Sequence, residues 1–229
     1  MSAYHLPGDP PVPLILRRSA RAKRISLRIS ALDGRVTLTL PKRLAAREAL
    51  DFAAEKEAWI RDHLARHPVP VAVGFGSILP VEGVPRRIVP GSARGVKLAE
   101  DTVAIGGSNP AKPLQRYLKE LARDRLAERS DHYAAQVGRD YAKLSLRDTR
   151  SRWGSCSSAG TLMYSWRLIL APREVLSYVA AHEVAHLVEM NHSADFWAVV
   201  AQIYGDSTLP RRWLRQEGGG LHRYRFESV

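Results

Sequence analysis

The spacing of hydrophobic and polar positions changes along this 229-residue chain. Apolar side chains alternate with polar ones between residues 14 and 40, for example from Ile25 to Ile29, which predicts half-buried strands. Residues 45–66 carry apolar side chains at helical spacing instead, and residues 69–105 return to short β-type runs separated by Gly and Pro. The first part of the chain is therefore predicted to be strand-rich, with one helix.

Helical spacing dominates the second part of the chain. A Gly- and Pro-containing stretch at residues 106–110 is the best candidate for a boundary, and a helix is predicted from about 112 to 137. Two antiparallel strands, 144–149 and 161–170, are predicted next, followed by further helices.

We therefore predict an α+β fold with two domains. The first covers residues 1–109 and is a strand-rich module with one helix, in which residues 1–13, with three prolines and no periodic pattern, form a flexible leader. The second domain covers residues 110–229.

The helix predicted after Pro172 contains a short run that carries chemistry. His182 and His186 lie four residues apart, so both imidazoles face the same side of the helix and can reach one ion. Glu183 points about 100° away from His182 and can act on a water at that ion. Apolar flanks make a chance occurrence of H-E-x-x-H a weaker interpretation than a zinc site.

A catalytic zinc usually has three protein ligands, so a third ligand is needed. His192 follows a predicted helix stop at Asn191 and can return to the open side of the ion. Glu189 lies on the same helix face as His186, but an unbent helix carries it a full turn past the ion. We favour His192 as the ligand and Glu189 as a group that holds a ligand imidazole.

The amino-acid composition limits the cellular compartments and the binding partners that we expect for this protein. Cys156 is the only cysteine, so no intrachain disulfide can form, and no apolar run is long enough to span a bilayer. We expect a cytoplasmic protein without a membrane partner, and favour a monomer.

The formal charge is +12, and residues 1–66 supply half of this excess of positive charge, with 13 basic and seven acidic groups. The run from Arg17 to Arg28 contains no acid, so its exposed edge suits either plain solvation or a nucleic-acid backbone.

Taken with the zinc motif, several further stretches resemble the SprT-like and YgjP-like family of zinc metalloproteases, within the H-E-x-x-H zincins. The resemblance covers most of the chain and rests on Arg21 to Ile29, Trp59-Ile60, Arg152 to Ser157, Trp166 to Pro172, and Asn191 to Ser193 with Phe196-Trp197. It implies a zincin-type catalytic core over 110–229, built from a helix, a short antiparallel sheet, the metal-binding helix and C-terminal helices.

The resemblance also implies one zinc ion on His182, His186 and His192, with Glu183 as general base in peptide hydrolysis. Related proteases include ones that degrade proteins crosslinked to DNA, which fits the basic charge. Zinc proteases commonly bind extended substrate along an edge strand, and residues 161–168 are our candidate. Two alternatives stay open: a nucleic-acid-binding or adaptor protein with a structural zinc, and a zinc hydrolase of non-peptide amides.

Overall fold

The computed structural model describes residues 4–30, 34–66, 69–92 and 95–226. Tertiary contacts divide the chain into two compact units, Met1–Val69 and Pro70–Val229. This division comes earlier than the predicted boundary between residues 109 and 110. The reason is that strands within residues 70–109 bury apolar side chains such as Leu79 and Ile88 in the same core as the helices that follow.

The first unit is built on a four-stranded sheet. Its strands are β1 (Tyr4–Leu6), β2 (Val12–Ser19), β3 (Ser26–Ile29) and β4 (Val36–Pro41), in the order β1-β2-β4-β3. Only the β2–β4 pair is parallel. The described part of the predicted leader is not a loose segment, because β1 pairs with β2 and Leu6 is buried.

Two helices complete the first unit where one was predicted. They are α1 (Ala46–Glu55) and α2 (Glu57–Ala65), and the helix is interrupted at Lys56. Glu48 accepts a hydrogen bond from the backbone N–H of Ala45 at 3.2 Å and so satisfies one free donor at the start of α1. Ala53 of α1 and Ile60 of α2 are buried in one core together with apolar side chains of the sheet.

The second unit begins with strands and continues with a long helix. The strands are β5 (Val71–Ala72), β6 (Ile78–Val81), β7 (Val84–Pro90), β8 (Val96–Leu98) and β9 (Thr102–Ile105), of which the last four form a sheet in the order β6-β7-β9-β8. Helix α3 (Ala111–Val137) follows and ends at Gly138, whose φ of 63° is left-handed.

A three-stranded sheet precedes the metal-binding motif, and here the sequence prediction was wrong in three respects. The strands are β10 (Lys143–Arg147), β11 (Gly154–Cys156) and β12 (Thr161–Ser165), in the order β10-β12-β11. The predicted antiparallel pair, β10 and β12, is parallel, and residues Trp166–Leu170 form a 3₁₀ turn. Strand β12 is central and not an edge, because the short β11 pairs with it on the other side.

Helices dominate the rest of the second unit. They are α4 (Arg173–Ala185), α5 (Ala194–Tyr204) and α6 (Thr208–Gln216), followed by a 3₁₀ turn (Gly218–Arg223) and β13 (Tyr224–Arg225), which pairs with β5. Leu118, Tyr164, Trp166 and Phe196 are fully or almost fully buried in the core that these elements share. The α+β prediction, strands first and helices after, is confirmed. None of the helices in the described residues is long and apolar enough to cross a membrane.

Candidate metal centre

The turn after α4 is what brings the third histidine to the first two. His182 lies in the last turn of α4, and His186 is the residue at which the helix ends. Asn191 then accepts a hydrogen bond from the backbone N–H of Ser193 at 2.9 Å, and the Ser193 hydroxyl accepts one from the N–H of Phe196 at 3.3 Å, which caps α5. The chain therefore reverses within a few residues and carries His192 back over α4.

The three imidazoles converge on one point. The ligand atoms of His182, His186 and His192 all lie within 4.8 Å of one another, and the Nε2 atoms of His182 and His192 are 3.1 Å apart. Phe196 stacks on the His186 ring with centroids 4.4 Å apart and contacts the other two rings edge-on. An aromatic wall thus fixes the orientation of the rings on one side.

Hydrogen bonds on the far ring nitrogens set which nitrogen of each ring points inward. The Nδ1 atom of His186 lies 2.9 Å from the backbone carbonyl of Glu189, and the Nδ1 atom of His182 lies 3.4 Å from the Tyr178 hydroxyl. Each Nδ1–H can donate to its partner, which leaves both Nε2 lone pairs for a metal. Glu189 thus holds the His186 imidazole through its backbone carbonyl, whereas its side chain was expected to hold a ligand ring.

The lowered pKa values of two of the imidazoles favour the binding of a cation. Burial, followed by the proximity of the other two histidines, lowers the pKa of His182 to about 4. Burial also lowers the pKa of His186, although its bond to the Glu189 carbonyl opposes the shift. Both rings are therefore neutral at pH 7 and offer lone pairs, and three nitrogen donors that leave a fourth position fit zinc.

Glu183 lies next to this cluster in an enclosed position. Glu183 is only 5% exposed, and this burial raises the pKa of its carboxyl group to about 8. The charge of Arg152 and a hydrogen bond from the Cys156 backbone N–H oppose this rise. Gly154 makes the room: a Cβ there would lie 2.6 Å from the Glu183 Cγ and 2.7 Å from its Cδ. Strand β11 is thus packed directly against the carboxylate.

A cleft of about 420 Å³ opens beside His186. The loop between β11 and β12 forms one wall with Ser157 and Gly160, and Leu187 and Met190 form another after α4. Met190 is half exposed. The cleft is large enough for one side chain and lies against a predicted ligand.

Sequence reasoning named the three histidines that the structure brings together, but missed two residues that contact or shape this cluster. Tyr178 is four residues before His182, a helical spacing that a search for ligand partners would have found. Gly154 stands in the Arg152 to Ser157 stretch already singled out, but a glycine's role there depends on how closely β11 approaches α4, which no local pattern encodes.

Comparison with known families decides what kind of protein carries this centre. The model of the YgjP-like metallopeptidase domain matches residues 23–217, which is most of the chain. The chain belongs to the YgjP-like metallopeptidase family. The resemblance inferred from the sequence motifs is confirmed for this family, and so is the general class, a peptidase that depends on a metal, typically zinc.

Comparisons with solved structures and with curated sequences add little to what is known of this YgjP-like metallopeptidase. The chain is similar over 41% of its length to the crystal structure of the metallopeptidase zymogen of Pyrococcus abyssi abylysin, of which the match covers 92%. The two are 20% identical with a TM-score of 0.36, too low to carry an argument about the site. No curated protein sequence matches the chain.

Proposed function

We propose that this metallopeptidase is a zinc-dependent endopeptidase in which His182, His186 and His192 hold one zinc ion and Glu183 is the general base. The observation that carries the proposal is the convergence of three imidazoles beside a buried carboxylate. Zinc, when bound, supplies a Lewis acid that polarises the scissile carbonyl and lowers the pKa of a water from about 15.7 toward about 7.

Glu183 moves the proton in this mechanism. A base whose pKa lies near the working pH can both accept a proton from the attacking water and return it to the leaving amine. Its burial against Gly154 and its raised pKa support this role, because an exposed carboxylate would be a much weaker base. The Cys156 N–H donates to the carboxylate and so fixes its orientation.

Substrate is proposed to bind in an extended form along β11. Among the described residues, only β12 pairs with this strand. Strand β11 also passes next to Glu183, so a peptide pairing with its outer edge would present a backbone carbonyl to the metal centre. The cleft beside His186 would accept one side chain of that peptide. Because pairing uses main-chain groups, cleavage within a chain requires no free terminus, which supports an endopeptidase.

The adaptor and the non-peptide hydrolase are weaker alternatives. Burial disfavours the charged form of the Glu183 carboxylate, which lies beside the three histidines. A metal site with a purely structural role would have no use for such a carboxylate, so its presence counts against the adaptor. A non-peptide amide would need no strand edge beside the centre. Membership of a metallopeptidase family also argues against both alternatives.

The test uses an unstructured protein as substrate. Purified protein should hold about one zinc and cleave the substrate at internal bonds; a chelator should abolish cleavage, and added zinc should restore it. His192→Ala should lose both zinc and activity, whereas the matched variant Glu189→Ala should keep both, because the backbone carbonyl that holds His186 remains. Zinc retained by His192→Ala and lost by Glu189→Ala would reverse the ligand assignment.

Proteins bound to DNA are proposed as one class of target. Arg17, Arg18, Arg21, Lys23, Arg24 and Arg28 all have exposed side chains on or near β2 and β3 of the first unit. Replacing several of them by glutamate should weaken DNA binding and flatten its dependence on salt. If no DNA binding is measured at low salt, this segment is simply a solvated edge.

A further inference from the structure

The second unit carries a basic cleft that has no part in the metal centre. Its volume is about 510 Å³, and it lies between α3 and β10, with Arg147 on the β10 side. On the α3 side it is lined by four cations, Lys112, Arg116, Lys119 and Arg123. Of the two acids in its lining, Asp148 is already held by Arg167 through hydrogen bonds of 2.7 and 3.1 Å, and Glu120 alone is left to balance five cations.

The charges of α3 are sorted by face. At 3.6 residues per turn, the four cations fall within an arc of about 60° and follow one another over about 16 Å of the helix. All four acids of α3 lie outside that arc; they are Glu120, Asp124, Glu128 and Asp131. Within the part of the chain that the structure describes, none of the four cations forms an ion pair, and the Nζ atom of Lys119 lies over the Trp166 ring, 5.8 Å from its centroid.

Neighbouring cations on this face repel one another, and Glu120, four residues after Arg116 and three before Arg123, offsets only part of that repulsion. Lys112 and Arg116, Arg116 and Lys119, and Lys119 and Arg123 are like charges three or four residues apart, which repel. Lys112 also lies in the first turn of α3, which has no acidic residue, although the helix dipole favours negative charge there. A bound polyanion would relieve both effects.

We infer that the α3–β10 cleft binds the phosphate backbone of single-stranded nucleic acid. Successive cations on one helix face lie about 5–6 Å apart, which suits a line of phosphates. The cleft offers no exposed apolar anchor of the kind that dominates peptide affinity, because Trp166 is 1% exposed and Leu146 is half-buried. A cleft between a helix and a strand also takes one chain more readily than a duplex.

The experiment measures binding of an oligothymidylate of about 16 nucleotides over a range of salt concentrations. The test variant is Arg116→Gln/Arg123→Gln, because both residues are exposed and glutamine favours helices. The matched control is Arg129→Gln/Arg215→Gln, which removes the same charge from the same unit at exposed or half-exposed positions outside the cleft. Circular dichroism should be unchanged in both, and the melting temperature of the test variant should not fall, because the substitutions remove repulsive pairs.

Loss of two phosphate contacts should lower the slope of log K against log salt by about 1.4 and affinity about 25-fold at about 0.1 M salt. The control should lose less than about threefold. Equal losses in both variants, tighter binding of polyglutamate or of a duplex, no binding by the wild type, or loss confined to an Arg17→Gln/Arg21→Gln variant would each overturn the inference. The assay needs no catalysis, so a failure of the proposed peptidase activity leaves its result independent.

Discussion

Replacing Gly154 by alanine should impair catalysis without removing the metal. The added methyl would lie 2.6 Å from the Cγ of Glu183 and 2.7 Å from its Cδ, whereas carbon atoms in contact normally lie about 3.5–4.0 Å apart. The carboxylate must therefore shift by about 1 Å. Gly154 does not have a positive φ, so alanine adds no backbone strain of its own.

A misplacement of about 1 Å can lower a rate about 100-fold, and we expect a loss of that size in kcat/KM for Gly154→Ala. Zinc content should stay at the wild-type value, because the three atoms nearest to the added methyl all belong to Glu183. Gly74→Ala is the matched control, since a Cβ there meets nothing within 4 Å. Full activity in Gly154→Ala would refute the claim that the position of Glu183 against β11 matters to the reaction.

Two further predictions concern groups around the centre and the stability of the second unit. Tyr178→Phe removes the hydroxyl 3.4 Å from the Nδ1 of His182 and should weaken zinc binding about tenfold in a competition assay with a chromogenic chelator; unchanged affinity would show that this long contact does not orient the ring. Burial raises the pKa of Glu82, but hydrogen bonds and charge from Arg173 and Arg125 outweigh it and hold the pKa below the ordinary value of 4.5. Its stabilising contribution should therefore be complete above about pH 4.5 and be lost as the pH falls through the lower folded value, so that the melting temperatures of wild type and Glu82→Gln converge in acid. A constant difference across that range would contradict the ion pairs.

The centre was predictable from the sequence because its main residues are close together along the chain. Helical spacing relates His182 to His186, and Asn191 and Ser193 are local turn and cap signals, so the return of His192 could be inferred without tertiary information. The carbonyl of Glu189 could not, because a backbone group leaves no mark in the sequence.

Strand arrangement was harder to predict because pairing is decided by distant residues. Strand β11 has three residues, Gly154–Cys156, and its small side chains show no alternation, yet its pairing makes β12 a central strand. The early division of the chain has a similar cause. Apolar residues such as Val81 and Ile105 bury against helices that come later in the sequence, so Gly and Pro near residue 110 mark a turn inside the unit and not its start.

The most direct test of the central claim is to measure zinc content and proteolysis together in wild type and Glu183→Gln. Glutamine keeps the shape of the side chain in its enclosed position but cannot accept a proton. The account predicts unchanged zinc and unchanged melting temperature, with cleavage of an unstructured protein lowered at least about 100-fold. Comparable cleavage by the two proteins would contradict the proposed mechanism, and loss of zinc from Glu183→Gln would show that the carboxylate maintains the metal site and is not the base.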